Sequence, residues 1–280
     1  MDNITEHDGF GAFCYNTLNI GDEIQTLAAM NFLPSIDYFV LRDDMTKVYN
    51  ANDLTLIPEE KLQKMKIPMI FNGWFMQTCN EVFNGKIYDP KNIIFPPPSY
   101  ILPLCISMHM TPRLFKNDIF YEKFFPFLKS NEPIGCRDTY TYEQLKLRNV
   151  SAYVSGCLTL HFKNESTHKT NKKICATIEP IANMTHCNHI IEMRDFGINE
   201  RFKIARNLLN EYMAADTVIT DRLHCYLPCK SMGVDVTFVG NKNDVRMRGL
   251  IDGPHDIFRQ ISLNKINEWL KTLKKRETPL

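Results

Sequence analysis

Short apolar runs alternate with amphipathic stretches along the whole chain, and that alternation predicts its elements. "GAFCY" (11–15) reads as a strand, "NTLNIG" as a loop, and 22–32 as a helix with Asp22 as its N-cap. "YFVL" (38–41), a helix near 58–65 and "PMIFNGWF" (68–75) follow. "LPLCISMHM" (102–110) is a buried strand, and 113–129 is an aromatic-rich helix. "PIGCRD" (133–138) is a short strand that runs into the helix "TYTYEQLKLRN", with "SAYVSG" (151–156) as the next strand. After a polar interval the alternation restarts. "ICATI" (174–178) and "NHIIEMR" (188–194) are strands, 199–214 is a helix, and "DTVIT" (216–220) leads into a helix over 222–232. "VDVTFVG" (234–240) and a basic helix near 243–250 complete the pattern.

Strands separated by helices imply βαβ units, so the fold class is α/β with mostly parallel sheets. The interval "LHFKNESTHKTNKK" is charged and lacks apolar runs, which places a linker at 161–172. The expected domains are therefore 1–160 and 161–280, two α/β halves facing a central cleft. A C-terminal helix is expected over 261–275, with Leu263, Ile266, Leu270 and Leu273 on one face and Trp269 beside them. Its basic end, Lys271 to Arg276, offers either a peripheral membrane contact or a solvated terminus favoured by the helix dipole.

With 280 residues the chain suits one large domain or two of about 140. A net charge of +1 argues against a general nucleic-acid binder. No stretch approaches the roughly 18–20 apolar residues of a membrane span, and the acidic start "MDNITEHDGF" is unlike a signal peptide. Nine cysteines, an odd number scattered among apolar runs, fit buried free thiols in a cytoplasmic protein better than a disulfide framework. The sequons at Asn3, Asn164 and Asn183 are then chance occurrences.

Three places carry candidate chemistry. In "TDRLHCYLPCKSMG" a strand delivers the chain to Asp221, and a helix opens near Arg222 and His224. Strand exits in open α/β sheets are where ligands sit, and a helix N-terminus there favours phosphate or carboxylate. Arg222 adds a bidentate fork for such a group, and His224 can hold a proton near neutral pH. The structural alternative is a cap by Asp221, an ordinary ion pair at Arg222 and a satisfied core His224. Arg137 and Asp138 stand at the same kind of junction, with an Asp138 cap and a simple salt bridge as the alternative. The third place is "NTLNIGDE", where Gly21 permits a tight turn before Asp22. No G-x-G-x-x-G occurs there, which argues against simple dinucleotide binding at the first turn.

"NIGDE", "GCRDTYTYEQLKLRNVSAYVSGCLTL" and "ITDRLHCYLPCKSMGVDV", in that order and spacing, resemble the polysaccharide pyruvyltransferase family over about residues 11–250. The resemblance implies two Rossmann-like halves around a cleft, as in glycosyltransferases of the B type. It implies an enzyme that moves the enolpyruvyl unit of phosphoenolpyruvate onto a sugar of a glycan as a ketal and releases phosphate. Arg137, Arg222 and His224 would be catalytic, with the arginines holding the donor's two anionic groups. His224 would act as general acid or as proton donor to the departing phosphate. Asn19, Gly21 and Asp22 would line the opposite wall, joined by Asp138, Asp221 and Arg246 as binding residues. No cofactor and no metal are required.

The chain departs from the family in being short and in carrying "FNGWFM" where many relatives have a glycine-rich turn. A glycosyltransferase using a nucleotide sugar is the main rival, though Arg222 and His224 suit phosphate better than ribose. An inactive glycan-binding relative is another. A structural zinc on His186, Cys187 and His189, or on His224, Cys225 and Cys229, competes with core packing of those side chains. Trp74 and Phe75 are either sugar-stacking or core aromatics.

Overall fold

The computed structural model of the chain describes residues 4–75, 82–83, 86–87, 95–165, 170–190 and 196–276. It opens with β1 (Thr5–His7), β2 (Gly11–Cys14), α1 (Gly21–Met30), β3 (Tyr38–Leu41), β4 (Val48–Asn50), α2 (Glu59–Leu62) and β5 (Ile67–Phe75). The short β6 (Val82–Phe83) and β7 (Lys86–Ile87) pair antiparallel with each other. Then come β8 (Ile101–Met110), α3 (Pro112–Phe115), α4 (Phe125–Ser130), β9 (Ile134–Cys136), α5 (Thr139–Lys146) and β10 (Ala152–Val154). The remainder is β11 (Lys173–Ala176), β12 (Thr185–His186), α6 (Ile198–Ala214), β13 (Thr217–Thr220), α7 (Leu223–Ser231), β14 (Asp235–Phe238), α8 (His255–Lys271) and β15 (Leu273–Lys275).

Two parallel sheets result, as the alternating pattern implies. The first runs β10–β9–β8–β5–β2–β3–β4, with only the β3–β4 pairing antiparallel. The second runs β12–β11–β13–β14 and is parallel throughout. Central β5 is a near-continuous apolar run because both of its faces are covered, and Ile67, Met69, Ile70 and Phe71 are all buried.

α1 is buried from Gly21 to Ala29, the signature of a helix enclosed on all sides. Ala28 and Ala29 pack with Ile70, Ile106 and Ile266. Ile20, Ile24 and Leu27 instead join Phe202, Ala205 and Leu209 of α6 and Cys225 and Cys229 of α7. One helix therefore serves the layers of both sheets. A buried ion pair pins it: Arg201 on α6 donates from Nε to Glu23 Oε1 at 2.6 Å and from Nη2 to the Thr17 carbonyl at 2.7 Å.

Several elements differ from expectation for local reasons. Asp22 does not cap α1. The helix begins at Gly21, and Asn19 Oδ1 accepts the Gly21 N–H at 3.1 Å, which leaves the Asp22 carboxylate free for side-chain partners. The aromatic helix expected over 113–129 is broken into α3, a π-turn at Phe120–Phe124 and α4. Pro126, in the first turn of α4, removes an N–H from the ladder there. The helix near 243–250 is a single 3-10 turn, Val245–Met247, capped by Asp244. Of the strand expected at 188–194, Ile190 forms an isolated bridge to Asn19, and 191–195 lie outside the described residues, as do 166–169 of the expected linker.

The C-terminal helix spans 255–271 rather than 261–275. Leu273 belongs to β15, which pairs with β1 and carries the chain back to its beginning. Ile266 is buried, whereas Leu263 is exposed. Lys275 and Arg276 of the basic run reach Asp37 at 2.9 Å and Asp8 at 3.1 Å. No helix among the described residues is long and apolar enough to cross a membrane.

Removing the cation of the Glu23–Arg201 pair leaves buried Glu23 and the Thr17 carbonyl without their shared partner. Arg201→Met is expected to destabilise the fold by about 3–5 kcal/mol, read by urea denaturation; a loss below about 1 kcal/mol, the level of an exposed pair, would contradict this role.

Candidate functional site

Two helix N-termini meet between the sheets. A Cβ on Gly21, the first residue of α1, would lie 3.0 Å from His224 Nδ1 in the first turn of α7. Glycine is what permits that approach. Thus "NIGDE" and "DRLH", some 200 residues apart in sequence, form one locus. The N-cap of α7 is Arg222, whose side chain makes no capping bond. His224 departs from helical geometry (φ −86°, ψ 17°), is buried, and its Nε2 has no hydrogen-bond partner. Burial pushes its pKa well below the ordinary 6.5, and the positive fields of Arg137, His189 and Arg246 act in the same direction. It is neutral at pH 7 in the free protein.

Arg137 follows β9 and is 2% exposed. Its Nη1 donates to Gln25 Oε1 at 3.4 Å, its Nε stands 3.8 Å from Asp138 Oδ2, and that Nε makes no hydrogen bond. Burial lowers its pKa, with Asp138 opposing. Gln25 in turn donates from Nε2 to Asp22 Oδ1 at 3.4 Å. Asp22 Oδ2 accepts from Thr17 Oγ1 at 2.7 Å and lies 3.8 Å from Arg42 Nη1. Burial raises the Asp22 pKa against Arg42 and Thr17. At the other end, Asp138 caps α5 by accepting the Thr141 N–H at 2.8 Å, and its Oδ2 meets His109 Nδ1 at 2.6 Å. The polar chain Asp22–Gln25–Arg137–Asp138–His109 is continuous and buried.

The structure thus gathers Asn19, Gly21, Asp22, Arg137, Asp138 and His224. Arg246 stands at the edge with half its side chain exposed, forked onto Asp244 at 2.6–3.0 Å, and its charge acts on both His224 and Arg137. Arg222 pairs with its neighbour Asp221. Its Nε lies 3.0 Å from Asp221 Oδ1 without hydrogen-bond alignment, while Asp221 Oδ2 accepts the Ile178 N–H at 3.0 Å. Asp221 is therefore a partner for Arg222 and the 178 turn, not a helix cap. A groove of about 450 Å³ lined by His161, Phe162, Ser231 and Arg259 shares none of these residues.

Sequence reasoning missed His109, Gln25 and Arg42. The sole hint was polarity inside an apolar context, as for the histidine in "SMHM". Phe75 is a core residue stacked on Phe71 at 4.9 Å, and Trp74 is half-buried. Cys225 and Cys229 are buried in the core shared with α1, and no three metal-ligating side chains are gathered among the described residues.

Fold and site together define a two-sheet α/β protein with a buried polar constellation where two helix N-termini converge. The family model for polysaccharide pyruvyl transferase matches residues 19–243, which include Asn19, Gly21, Asp22, His109, Arg137, Asp138, Arg222 and His224. The chain belongs to the polysaccharide pyruvyl transferase family. Among solved structures it is similar to an uncharacterized protein, KP1_0663, from Klebsiella pneumoniae subsp. pneumoniae NTUH-K2044. The TM-score is 0.50 at 15% identity, covering 96% of this chain and 93% of that one, a likeness of fold. No curated protein matches the chain significantly.

A histidine whose folded pKa is depressed loses stability as pH falls below its unfolded value, because only the unfolded chain takes up the proton. Each such group contributes a slope of up to about 1.4 kcal/mol per pH unit below about pH 6.5. His224→Asn is expected to remove that share of the acid-side slope in denaturation series between about pH 6.5 and 5.5. Parallel curves for wild type and variant would show that His224 already carries a proton in the fold.

Proposed function

We propose that the chain transfers the pyruvyl group of phosphoenolpyruvate to a sugar of a glycan as a ketal, releasing phosphate. The observation that carries this reading is Arg137: a buried guanidinium, incompletely hydrogen-bonded, held by Gln25 of α1 and acting on His224 at the N-terminus of α7, whose N-cap side chain makes no capping bond. Such a cation at such helix ends suits a carboxylate or phosphate. On this reading the first sheet, residues 1–160, forms the acceptor half. The second, residues 161–280, forms the donor half of an arrangement like that of B-type glycosyltransferases.

The chemistry assigns work to these residues. Arg137 holds one anionic group of the donor. Arg222, at the N-cap of α7, exchanges Asp221 for the other, and Arg246 adds charge from the edge. Converting two hydroxyls and an enol phosphate into a ketal moves two protons: one ends on C3 of the donor as a methyl hydrogen, the other on the departing phosphate. His224, at the helix end that receives the anion, supplies the phosphate's proton. The bound anion opposes the fields of Arg137 and Arg246 that keep His224 neutral, so binding recruits a proton to its imidazole. Asn19, Gly21 and Asp22 form the wall facing the acceptor, and neither metal nor organic cofactor enters these steps.

Thermal denaturation with phosphoenolpyruvate tests the reading. At 100 times its dissociation constant the donor should stabilise by about 2.7 kcal/mol, a shift of roughly 5–10 °C for a chain of this size. The shift should grow as pH falls from 8 towards about 6.5 and vanish in Arg137→Met. A shift with UDP or GDP and none with phosphoenolpyruvate would instead indicate a nucleotide-sugar glycosyltransferase.

A further inference from the structure

Two protons move in the proposed reaction, and the site contains two buried histidines with an unpartnered Nε2, His224 and His109. His224 has been assigned one proton. The other histidine was placed by no motif, yet its setting is the more specific of the two.

His109 lies on β8 just beyond an irregularity. Between Phe71 and Gly73 on β5, the facing strand advances from Cys105 to Met108, so β8 carries one extra residue. Ser107 there adopts φ 57°, and is held in place by donating its N–H to Ser155 Oγ at 3.0 Å and accepting the Leu158 N–H at 3.3 Å. Such a bulge re-aims the side chains that follow. Here it precedes the His109 side chain that meets Asp138, whose carboxylate is fixed by capping α5. A carboxylate accepts only, so the Nδ1 facing it carries the proton, and Nε2 is left as a bare lone pair. Thr141 Oγ1 is 3.4 Å from the same Nδ1, and Nε2 has no partner among the described residues. Leaving a buried polar atom unpaired costs about 1–3 kcal/mol, which a purely structural histidine gains nothing by incurring.

The location ties it to the donor. Arg137 Nε and His109 Nδ1 lie on the same oxygen, Asp138 Oδ2, at 3.8 and 2.6 Å. The other end of Arg137 reaches Gln25 of α1, the helix whose first residue abuts His224. The charge of Arg137 acts on both histidines. The charged groups around His109 are Asp138 from α5, Arg137 before it, and Asp244 and Arg246 from the turn after β14. Burial lowers the His109 pKa, Asp138 opposes, and the two arginines reinforce the lowering. The net direction favours the neutral imidazole.

We propose that His109, oriented by Asp138, is the second proton-transferring residue: its Nε2 takes the proton of the first attacking sugar hydroxyl and gives it to C3 of the donor. The step balances. The hydroxyl O–H breaks to Nε2, and the oxygen's pair forms the new bond to C2. The C2=C3 pair takes the proton from Nε2, making the methyl group and restoring neutral His109. The second hydroxyl then replaces phosphate at C2, and its proton leaves with the phosphate by way of His224. Asp138 is a positioning residue that fixes the tautomer. The assignment rests on phosphoenolpyruvate being the donor.

The test uses the whole chain with phosphoenolpyruvate in D₂O, following loss of the two vinylic hydrogen signals by proton NMR. Solvent deuterium loads Nε2. The C2=C3 pair takes the deuteron at C3 while a lone pair of the phosphate ester oxygen supports the cation left at C2. Return of a methyl proton to Nε2 restores the double bond, which exchanges the methylene hydrogens without an acceptor sugar. Wild type is expected to exchange. His109→Gln should slow exchange at least about a hundredfold while keeping the thermal shift with the donor. Asp138→Asn preserves a capping side chain on α5 and should slow exchange and displace its pH profile to lower pH, because the imidazole loses its anionic partner. The proposal is overturned if wild type binds the donor but does not exchange it, or if both variants exchange within about threefold of wild type. A wild type that shows no thermal shift with phosphoenolpyruvate removes the donor reading itself, and this proposal with it. Should His109→Gln fail to fold, Asp138→Asn decides alone.

Discussion

A guanidinium taken out of water governs this architecture. Removing a cation from solvent costs several kcal/mol unless partners replace the lost hydration, and Arg137 is met only in part, by Gln25 and at longer range by Asp138. Among the described residues its partners are Gln25 from α1 and the adjacent Asp138 at the N-cap of α5, which in turn holds the histidine of β8. Each of those elements has to be in place for the charge to be tolerated. What is left incomplete is the Arg137 Nε, a buried donor without a hydrogen-bond acceptor among the described residues, the kind of exception that calls for an explanation.

The same logic explains α1. A helix carrying consecutive carboxylates, Asp22 and Glu23, would ordinarily face solvent, but here both are buried. Glu23 is pushed up to about 7 because burial outweighs the attraction of Arg201. Arg42, which reaches Asp22 and Asp43 and covers the Tyr15 ring, keeps its charge despite burial through those two carboxylates. The two acids thus point to different clients: Glu23 locks α1 to α6, and Asp22 faces the polar chain that ends at His109. Binding one helix to both sheets makes the position of Gly21 against His224 a consequence of core packing, not of loop conformation. A site built on packed helix ends is more rigid than one built on loops.

Much of this was legible in the sequence. Strand and helix order followed from the alternation of apolar runs, since parallel strands covered on both faces leave short continuous apolar segments such as residues 67–71. The cap at Asp138 was legible because Asp before "TYTYEQL" is a local signal. Asp22 looked like the same signal and is not one, because Asn19 three residues earlier makes the turn and long-range partners claim the carboxylate. Arg222 and Asp221 illustrate the same limit: the strand exit left an anion-binding fork and an ordinary ion pair equally open at Arg222, and the side chain pairs with its neighbour. His109 and Gln25 were invisible for a related reason. Their meaning depends on a β-bulge and on a contact between residues 25 and 137, and no local pattern encodes either. The tail was misread because strand pairing between the two ends of the chain has no local signature.

The most direct test of the central claim is a crystal structure of the protein grown with phosphoenolpyruvate. The account predicts one anionic group of the donor within hydrogen-bond reach of the Arg137 guanidinium and the first turn of α7, with His224 Nε2 turned to the phosphate. A donor bound elsewhere, with Arg137 still bonded only to Gln25 and no density between the two helix N-termini, would contradict it.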